Sequence, residues 1–341
     1  MKILAAHPGP SFSVHDVYVG WVDALRQLGH QVAEFNLSAR LTFYDAALLE
    51  AEGQVHKALS TEQAQELAVN GLYAALYKTR PDVLLAVSAF FYPAELLDLA
   101  RSYGTRVVVL HTESPYEDGR QLDIAGHADL SLINDPTNLR EFAARGRTVY
   151  VPHSYRPAVH RPGPVDEKLA ADLAFVGTGY ASRIAFLEAM DLSGLDVLLA
   201  GNWQQLDDSS PLRRAVAHEP DECLDNEQAV RMYQSAAVGL NLYRREAETP
   251  ERAAGWSMGP REVEMAACGL FFLRDPRPEG DQVLPMLPTI TTPQDASEQL
   301  RYWLAHPGER RERAEAARAA VADRTFTNRA AELVQLLSTE E

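Results

Sequence analysis

The stretch from Trp256 to Gly269, Trp-Ser-Met-Gly-Pro-Arg-Glu-Val-Glu-Met-Ala-Ala-Cys-Gly, sets a glycine, a proline, an arginine and two glutamates at spacings that could cradle an anion beside a carboxylate. Gly259 can turn the chain tightly and Pro260 suits a first helical position, so the amides near residues 259–262 are expected to point free from a helix start. A diphosphate fits such an end, and Gly259, Pro260 and Arg261 form an anion-binding candidate. Glu264 lies about one turn further in, where its carboxylate could hold a sugar ring, and Gly269 can close the helix in a left-handed conformation. The same residues also describe an ordinary capped helix packed on a sheet, so the rest of the chain must decide.

A second candidate is Phe175-Val-Gly-Thr-Gly-Tyr-Ala-Ser-Arg183, placed after an apolar run and before a helical one. Gly177 and Gly179 let a phosphate approach the backbone, Thr178 and Ser182 offer hydroxyls, and Arg183 a fork of donors. A tight turn alone would use the same glycines. Gly201-Asn202-Trp203 follows the next strand end and could line a base pocket, with a half-buried surface tryptophan as the other reading. Asn241, with Arg244 and Arg245 behind it, also ends a strand. In the first part of the chain, His111-Thr-Glu-Ser-Pro-Tyr-Glu-Asp118 leaves an apolar strand, and His111 and Glu113 could orient an acceptor hydroxyl or take its proton. His7, His15 and Asp16 are weaker candidates of the same kind. The ten histidines form no His-x-x-x-His or His-x-His, and there is no calcium loop, P-loop or Gly-x-Ser-x-Gly elbow, so no metal site is expected.

Alternating elements must position these residues. Residues 2–6 read as a strand, 14–28 as a helix stopped by Gly29, and 31–35 as the next strand, with Ser13 and Asp16 approximating a capping box. Residues 42–79 look mainly helical. The apolar runs at 81–88, 105–110, 130–134 and 149–152 read as strands of a covered parallel sheet. The Pro-dense residues 155–164 look like a linker. Beyond it the alternation restarts, with strands at 173–176, 197–200, 238–242 and 270–273, and helices at 183–190, 226–235 and after Gly259. Charged, Ala-rich residues 309–323 and the periodic residues 328–337 should form terminal helices. Two consecutive α/β domains imply a cleft, with ligands at the carboxyl ends of strands.

The 341 residues suffice for two domains, and a 46% hydrophobic content suits a compact protein. No run supplies the ~20 apolar residues of a membrane span and no signal-peptide core is evident, which points to a cytoplasmic protein. Two cysteines, Cys223 and Cys268, are too few for a disulfide framework. A formal charge of −16 argues against nucleic acid as the main partner while leaving room for a local basic cleft that binds one phosphorylated small molecule.

With these motifs in order, the chain resembles a GT-B glycosyltransferase of the spore-maturation CgeB-like group, related to family 4 transferases. The Phe-Val-Gly-Thr-Gly turn with Arg183, the Asn241 strand and Gly-Pro-Arg-Glu-Val-Glu-Met-Ala-Ala-Cys-Gly carry the likeness. The resemblance implies two Rossmann-like domains facing across a cleft. The acceptor-side domain would take residues 1–155 and the nucleotide-sugar domain residues 165–323, with residues 324–341 returning to the first. It implies metal-independent transfer of a sugar, with retention, from a UDP- or GDP-sugar to an acceptor that is protein, glycan or small molecule. Gly177, Thr178 and Arg183 would lie near the diphosphate, with Asn202 and Asn241 at the same site. Gly259, Pro260, Arg261 and Glu262 would meet the donor phosphate or sugar, and Glu264 the ribose hydroxyls. Amides around Gly259 together with Arg183 would neutralise the departing diphosphate. The family usually sets a second glutamate eight positions before Glu264, and Trp256 stands there instead, so Glu262 or backbone amides would take over its duty. A nucleotide-sugar epimerase and a non-catalytic binding protein with a transferase fold are the alternative readings.

Overall fold

The computed structural model describes residues 1–10, 14–51 and 53–339. The chain divides into two compact units, one formed by Met1–Val151 with Ala330–Glu341 and the other by Pro152–Arg329.

The first unit runs β1 (Lys2–Ala6), α1 (His15–Gln27), β2 (Gln31–Phe35), α2 (Leu37–Asp45), β3 (Leu48–Ala51), β4 (Gln54–Lys57), α3 (Thr61–Thr79), β5 (Val83–Val87), α4 (Ala94–Ser102), β6 (Arg106–His111), α5 (Asp118–Ala125), β7 (Leu130–Ile133), α6 (Leu139–Ala143) and β8 (Thr148–Tyr150). Six strands pair in the order β2-β1-β5-β6-β7-β8, every pair parallel. The unbroken apolar run Val-Leu-Leu-Ala-Val makes β5 central, because a strand covered by helices on both faces has no polar side, and all five residues are buried. The order reverses between β1 and β5, which makes the carboxyl ends of these two strands the unit's switch point.

The expectation of a mainly helical stretch over residues 42–79 is corrected. β3 and β4 form a separate antiparallel hairpin ahead of α3, whose start carries a full Ser60/Gln63 capping box. Leu48, Leu49 and Val55 are exposed, so neither a buried helical stripe nor a core strand face marks this hairpin in the sequence. The capping box proposed for Ser13 and Asp16 lies partly outside the described residues, since Ser13 is not among them.

The second unit contains β9 (Ala171–Val176), α7 (Ala181–Glu188), β10 (Val197–Ala200), α8 (Asn226–Ser235), β11 (Ala236–Asn241), α9 (Pro250–Ala253), α10 (Pro260–Cys268), β12 (Phe272–Arg274), α11 (Pro278–Val283), α12 (Pro293–Ala305), α13 (Pro307–Ala320) and the start of α14 (Phe326–Ser338). Its sheet is β10-β9-β11-β12, again all parallel. The switch point here falls between β9 and β11. Phe175, Trp203, Phe271, Phe272 and Trp303 anchor the core. The Pro-rich segment at 155–164 is not a loose joint. Tyr155 N–H donates to Arg324 O, Phe326 N–H donates to Tyr155 O, and Tyr155 forms a parallel bridge with Thr325, which fixes the segment within this unit.

Candidate functional site

Two loops leave the switch point of the second unit, Gly177–Tyr180 after β9 and the chain from Leu242 after β11. Arg183, from the first turn of α7, ties them together. Its Nε donates to Leu242 O at 2.9 Å and a terminal nitrogen donates to Thr178 O at 3.0 Å. The guanidinium also lies over the rings of Tyr180 and Phe175, at 5.1 and 5.5 Å from their centroids. Arg244 approaches Tyr180 from the β11 loop, 3.3 Å from its hydroxyl. This gathers positive charge at the carboxyl ends of β9 and β11.

Acids of the chain balance part of that charge. Glu246 accepts from Ser182 N–H at 3.0 Å and Ser182 Oγ at 3.1 Å, at the start of α7. Although burial works against it, these donors and the backbone amides nearby hold the Glu246 carboxyl below its ordinary value. Asp275, just past β12, accepts from Tyr243 N–H at 2.9 Å and pairs with Arg245 at 3.1 Å. Burial pushes its pKa up against the pull of Arg245, Arg277 and Arg183. Neither acid was singled out in the sequence, because each sits in a loop of mixed polar residues with no periodic pattern.

The glycines of the first loop serve packing. A Cβ on Gly179 would lie 2.5 Å from the Trp203 ring, and one on Gly201 would lie 2.5 Å from Gly177 O. Trp203 is wholly buried and edge-on to Phe175, which corrects both expectations for it, since it neither lines a base pocket nor lies half-exposed. Asn202 accepts from Gly179 N–H through its carbonyl at 2.7 Å and from Gln204 N–H through its side chain at 3.1 Å, both turn contacts. Asn241 is buried, and its side-chain nitrogen meets no acceptor among the described residues.

α10 starts as expected, with Gly259 as cap, Pro260 in the first turn and Gly269 left-handed at φ 78° as the stop. The expected row of free amides over 259–262 is corrected. Gly259 N–H donates to Glu262 Oε2 at 2.8 Å, Glu262 N–H turns back on Gly259 O at 3.2 Å, and Pro260 has no N–H. Glu262 therefore caps its own helix. Tyr243 OH donates to the same oxygen, and Gly259 N–H also lies 3.1 Å from Tyr243 OH. Glu262 is 0% exposed, and burial pushes its carboxyl up to about 7. In this structure the Glu262 side chain caps α10.

Arg261 and Glu264 occupy another face of α10. Arg261 donates to Glu264 Oε2 at 2.7 Å and lies 3.4 Å from Asn226 Oδ1 of α8. The Glu264 side chain keeps 8% of its surface exposed and that of Arg261 29%. His160, from the Pro-rich segment, faces Glu264 Oε1 at 3.9 Å.

The first unit holds the acceptor-side candidates. His111 is 1% exposed, burial pulls its pKa down to about 3, and Nε2 pairs with Ser131 Oγ at 3.1 Å. The neutral ring is thus enclosed, with Nε2 directed at Ser131 rather than at solvent. Glu113 is half-buried, its amide donating to Gln121 Oε1 at 3.2 Å. The acidic loop is held by Asp118, which accepts from Ser114, Gln121 and Asn138. His7, by contrast, ends β1 at the switch point, 3.0 Å from His15 Nδ1, and the pair borders a 340 Å³ cavity with Asn36, Ser38 and Thr42. Burial and His15 lower the His7 pKa to about 4. Among the described residues no group of three or more His, Cys, Asp or Glu is placed to hold a metal ion, and no helix is long and apolar enough to cross a membrane.

Solved structures share this arrangement of two α/β units. A sucrose-phosphate synthase from Thermosynechococcus elongatus superposes with a TM-score of 0.66 at 15% identity, over 100% of both chains. This is the GT-B fold. A trehalose-6-phosphate protein from E. coli bound with UDP-2-fluoro glucose shares it at TM-score 0.60 and 12% identity, over 99% of each chain. So does a putative UDP-N-acetylglucosamine 2-epimerase from Listeria monocytogenes, at TM-score 0.59 and 15% identity over 98% of this chain and 94% of that one. A family model described as glycosyl transferase-like matches residues 183–335, the part of this GT-B chain that holds Arg183, Arg261 and Glu264. No curated protein matches the chain.

Proposed function

We propose that the protein is a glycosyltransferase that moves a sugar from a nucleoside-diphosphate sugar to an acceptor hydroxyl, in the manner of the CgeB-like and family 4 transferases. The observation that carries this reading is the linkage of the two candidate anion loops. Arg183 spans from Thr178 to Leu242, and Tyr243, the next residue, reaches Gly259 at the start of α10. A diphosphate at the carboxyl ends of β9 and β11 would lie within the field of Arg183, Arg244 and Arg261.

The chemistry is electrostatic. As the bond from the anomeric carbon to the diphosphate breaks and the acceptor oxygen bonds to that carbon, its proton passing to the departing diphosphate oxygen, negative charge grows on the leaving group, and fixed guanidinium groups stabilise it. No metal is called for in this reading, because the arginines supply the positive charge. The amides near Gly259 contribute less than the motif suggested, since Glu262 takes up the Gly259 N–H. Glu264 would accept hydrogen bonds from the ribose, Glu113 would orient the acceptor, and retention follows the resemblance to family 4. UDP and GDP are the candidate nucleotides, and the cytoplasm the expected compartment.

Calorimetric titration with UDP and GDP tests the reading. One of them should bind in the micromolar range, and Arg183→Lys, which keeps the charge and loses the fork, should weaken it about tenfold. Binding of neither nucleotide to the wild type would refute the proposal. Because a putative epimerase shares the fold, donor incubated without acceptor is the control for that second activity.

A further inference from the structure

The Pro-rich segment ahead of β9 delivers one side chain to Glu264. Arg156 N–H donates to His160 Nδ1 at 3.1 Å, and the His160 ring stands edge-on to Tyr155 with centroids 6.4 Å apart. Tyr155 is itself bonded to Arg324 and Phe326, so the imidazole is held by its own segment. His160 is 2% exposed, and burial lowers its pKa, which keeps the ring neutral. Since Nδ1 accepts, the ring hydrogen is on Nε2. That donor meets no hydrogen-bond partner among the described residues.

An enclosed donor without an acceptor is rare in folded proteins and calls for a cause. The acid in front of it is Glu264, whose Oε1 lies 3.9 Å away while Oε2 is held by Arg261 at 2.7 Å. A small rotation of the carboxylate about the Arg261 contact closes the gap to hydrogen-bond length. The His160 side chain is 1% exposed and that of Glu264 8%, so of the two only Glu264 retains surface that a ligand could meet.

We propose that His160 is a positioning residue for Glu264, turning the carboxylate so that its remaining lone pairs meet the ribose hydroxyls of a bound nucleoside diphosphate. The inference rests on the nucleotide-sugar reading above. Arg261 fixes one oxygen and His160 the other, so the orientation of the acceptor lone pairs is set before the ribose arrives. The imidazole acts through Glu264, so its removal affects ribose recognition and spares the contacts to base and phosphate.

Titration of wild type with whichever of UDP and GDP it binds, and with the 2′-deoxy form of the same nucleotide, gives a ribose preference. A hydrogen bond to a charged group predicts a preference of about tenfold in the wild type. His160→Asn, which cannot place a donor at the Nε2 position, should cut that preference to about twofold while leaving the deoxy nucleotide's affinity within about twofold of wild type. His160→Gln, whose amide nitrogen reaches approximately the Nε2 position, should restore it. Equal weakening of both nucleotides in His160→Asn, or an unchanged preference, would overturn the inference and leave the nucleotide reading standing. No ribose preference in the wild type would do the same. Binding of no nucleotide at all by the wild type would remove both. Should His160→Asn fail to fold, His160→Gln alone decides, because loss of the preference in a folded Gln variant contradicts the proposed donor.

Discussion

At the scale of single residues, burial separates the two acids of α10. Glu262 and Glu264 are two positions apart in the sequence, yet one is sealed at the cap of α10 while the other keeps an exposed edge. The sequence alone could not separate them, because the distinction depends on Tyr243, from the loop after β11, and Arg274, from β12. The separation is testable through pH. The Glu262 carboxyl is raised by burial from its ordinary 4.5 to about 7. Between those values the folded protein holds a proton that the unfolded chain has released, so stability contributed by this group is full below about pH 4.5 and declines as pH rises through 7. Glu262→Gln removes the titration and keeps an acceptor for Gly259 N–H. Its stability relative to wild type should therefore improve from pH 5 to pH 8, by up to about 3 kcal/mol, in urea denaturation series at each pH. A pH-independent difference between the two proteins would contradict the burial argument. His111 belongs to the same class, since its position after an apolar strand was legible but its enclosure against Ser131 and Phe142 was not.

At the scale of elements, the parallel strands were legible because a doubly covered strand must be apolar where it is covered, as β5 is throughout and β6 and β9 are over residues 107–110 and 173–176. The hairpin of β3 and β4 was not, because it packs little, and a strand pair without a buried face writes no alternation into the sequence. Ala58 N–H donates to Ala47 O at 2.8 Å, so the hairpin's base is already closed. Excision of residues 48–57 should cost less than about 1 kcal/mol in denaturant unfolding, since little apolar surface is lost. The turns after β9 and β10 predict the opposite. The glycines after β9 read as a phosphate cradle, and in the structure Gly179 packs against the Trp203 ring, while Gly201 after β10 has φ 110° and its missing Cβ directed at Gly177 O. Gly201→Ala should therefore cost about 3 kcal/mol, combining left-handed strain with a clash against backbone that cannot swing aside. A loss below roughly 0.5 kcal/mol in the same measurement would mean that the turn has room the structure does not provide.

At the scale of the whole molecule, the order of the chain departs from the order of the units. The boundary falls inside α14, and residues from Ala330 onward belong with the first unit although the preceding residues from Pro152 belong to the second. Ala330, Leu333 and Leu337 are buried, and Arg106 donates to Leu337 O at 2.6 Å, which explains why an apolar stripe occurs so near the carboxyl end. Each unit has its own core, so heat should unfold them in two calorimetric transitions. Removing residues 330–341 exposes two leucines' worth of apolar contacts and should destabilise the first unit by about 3–5 kcal/mol, lowering one transition only. Saturating nucleotide should move the other, because Arg183, Arg261 and Glu264 all lie between Pro152 and Arg329. At a hundredfold excess over the dissociation constant the gain is about 2.7 kcal/mol, enough to resolve by calorimetry. The two perturbations thus address different peaks. If truncation and nucleotide shift the same transition, either the carboxyl-terminal segment does not belong with the first sheet or the nucleotide does not bind at the carboxyl ends of β9 and β11.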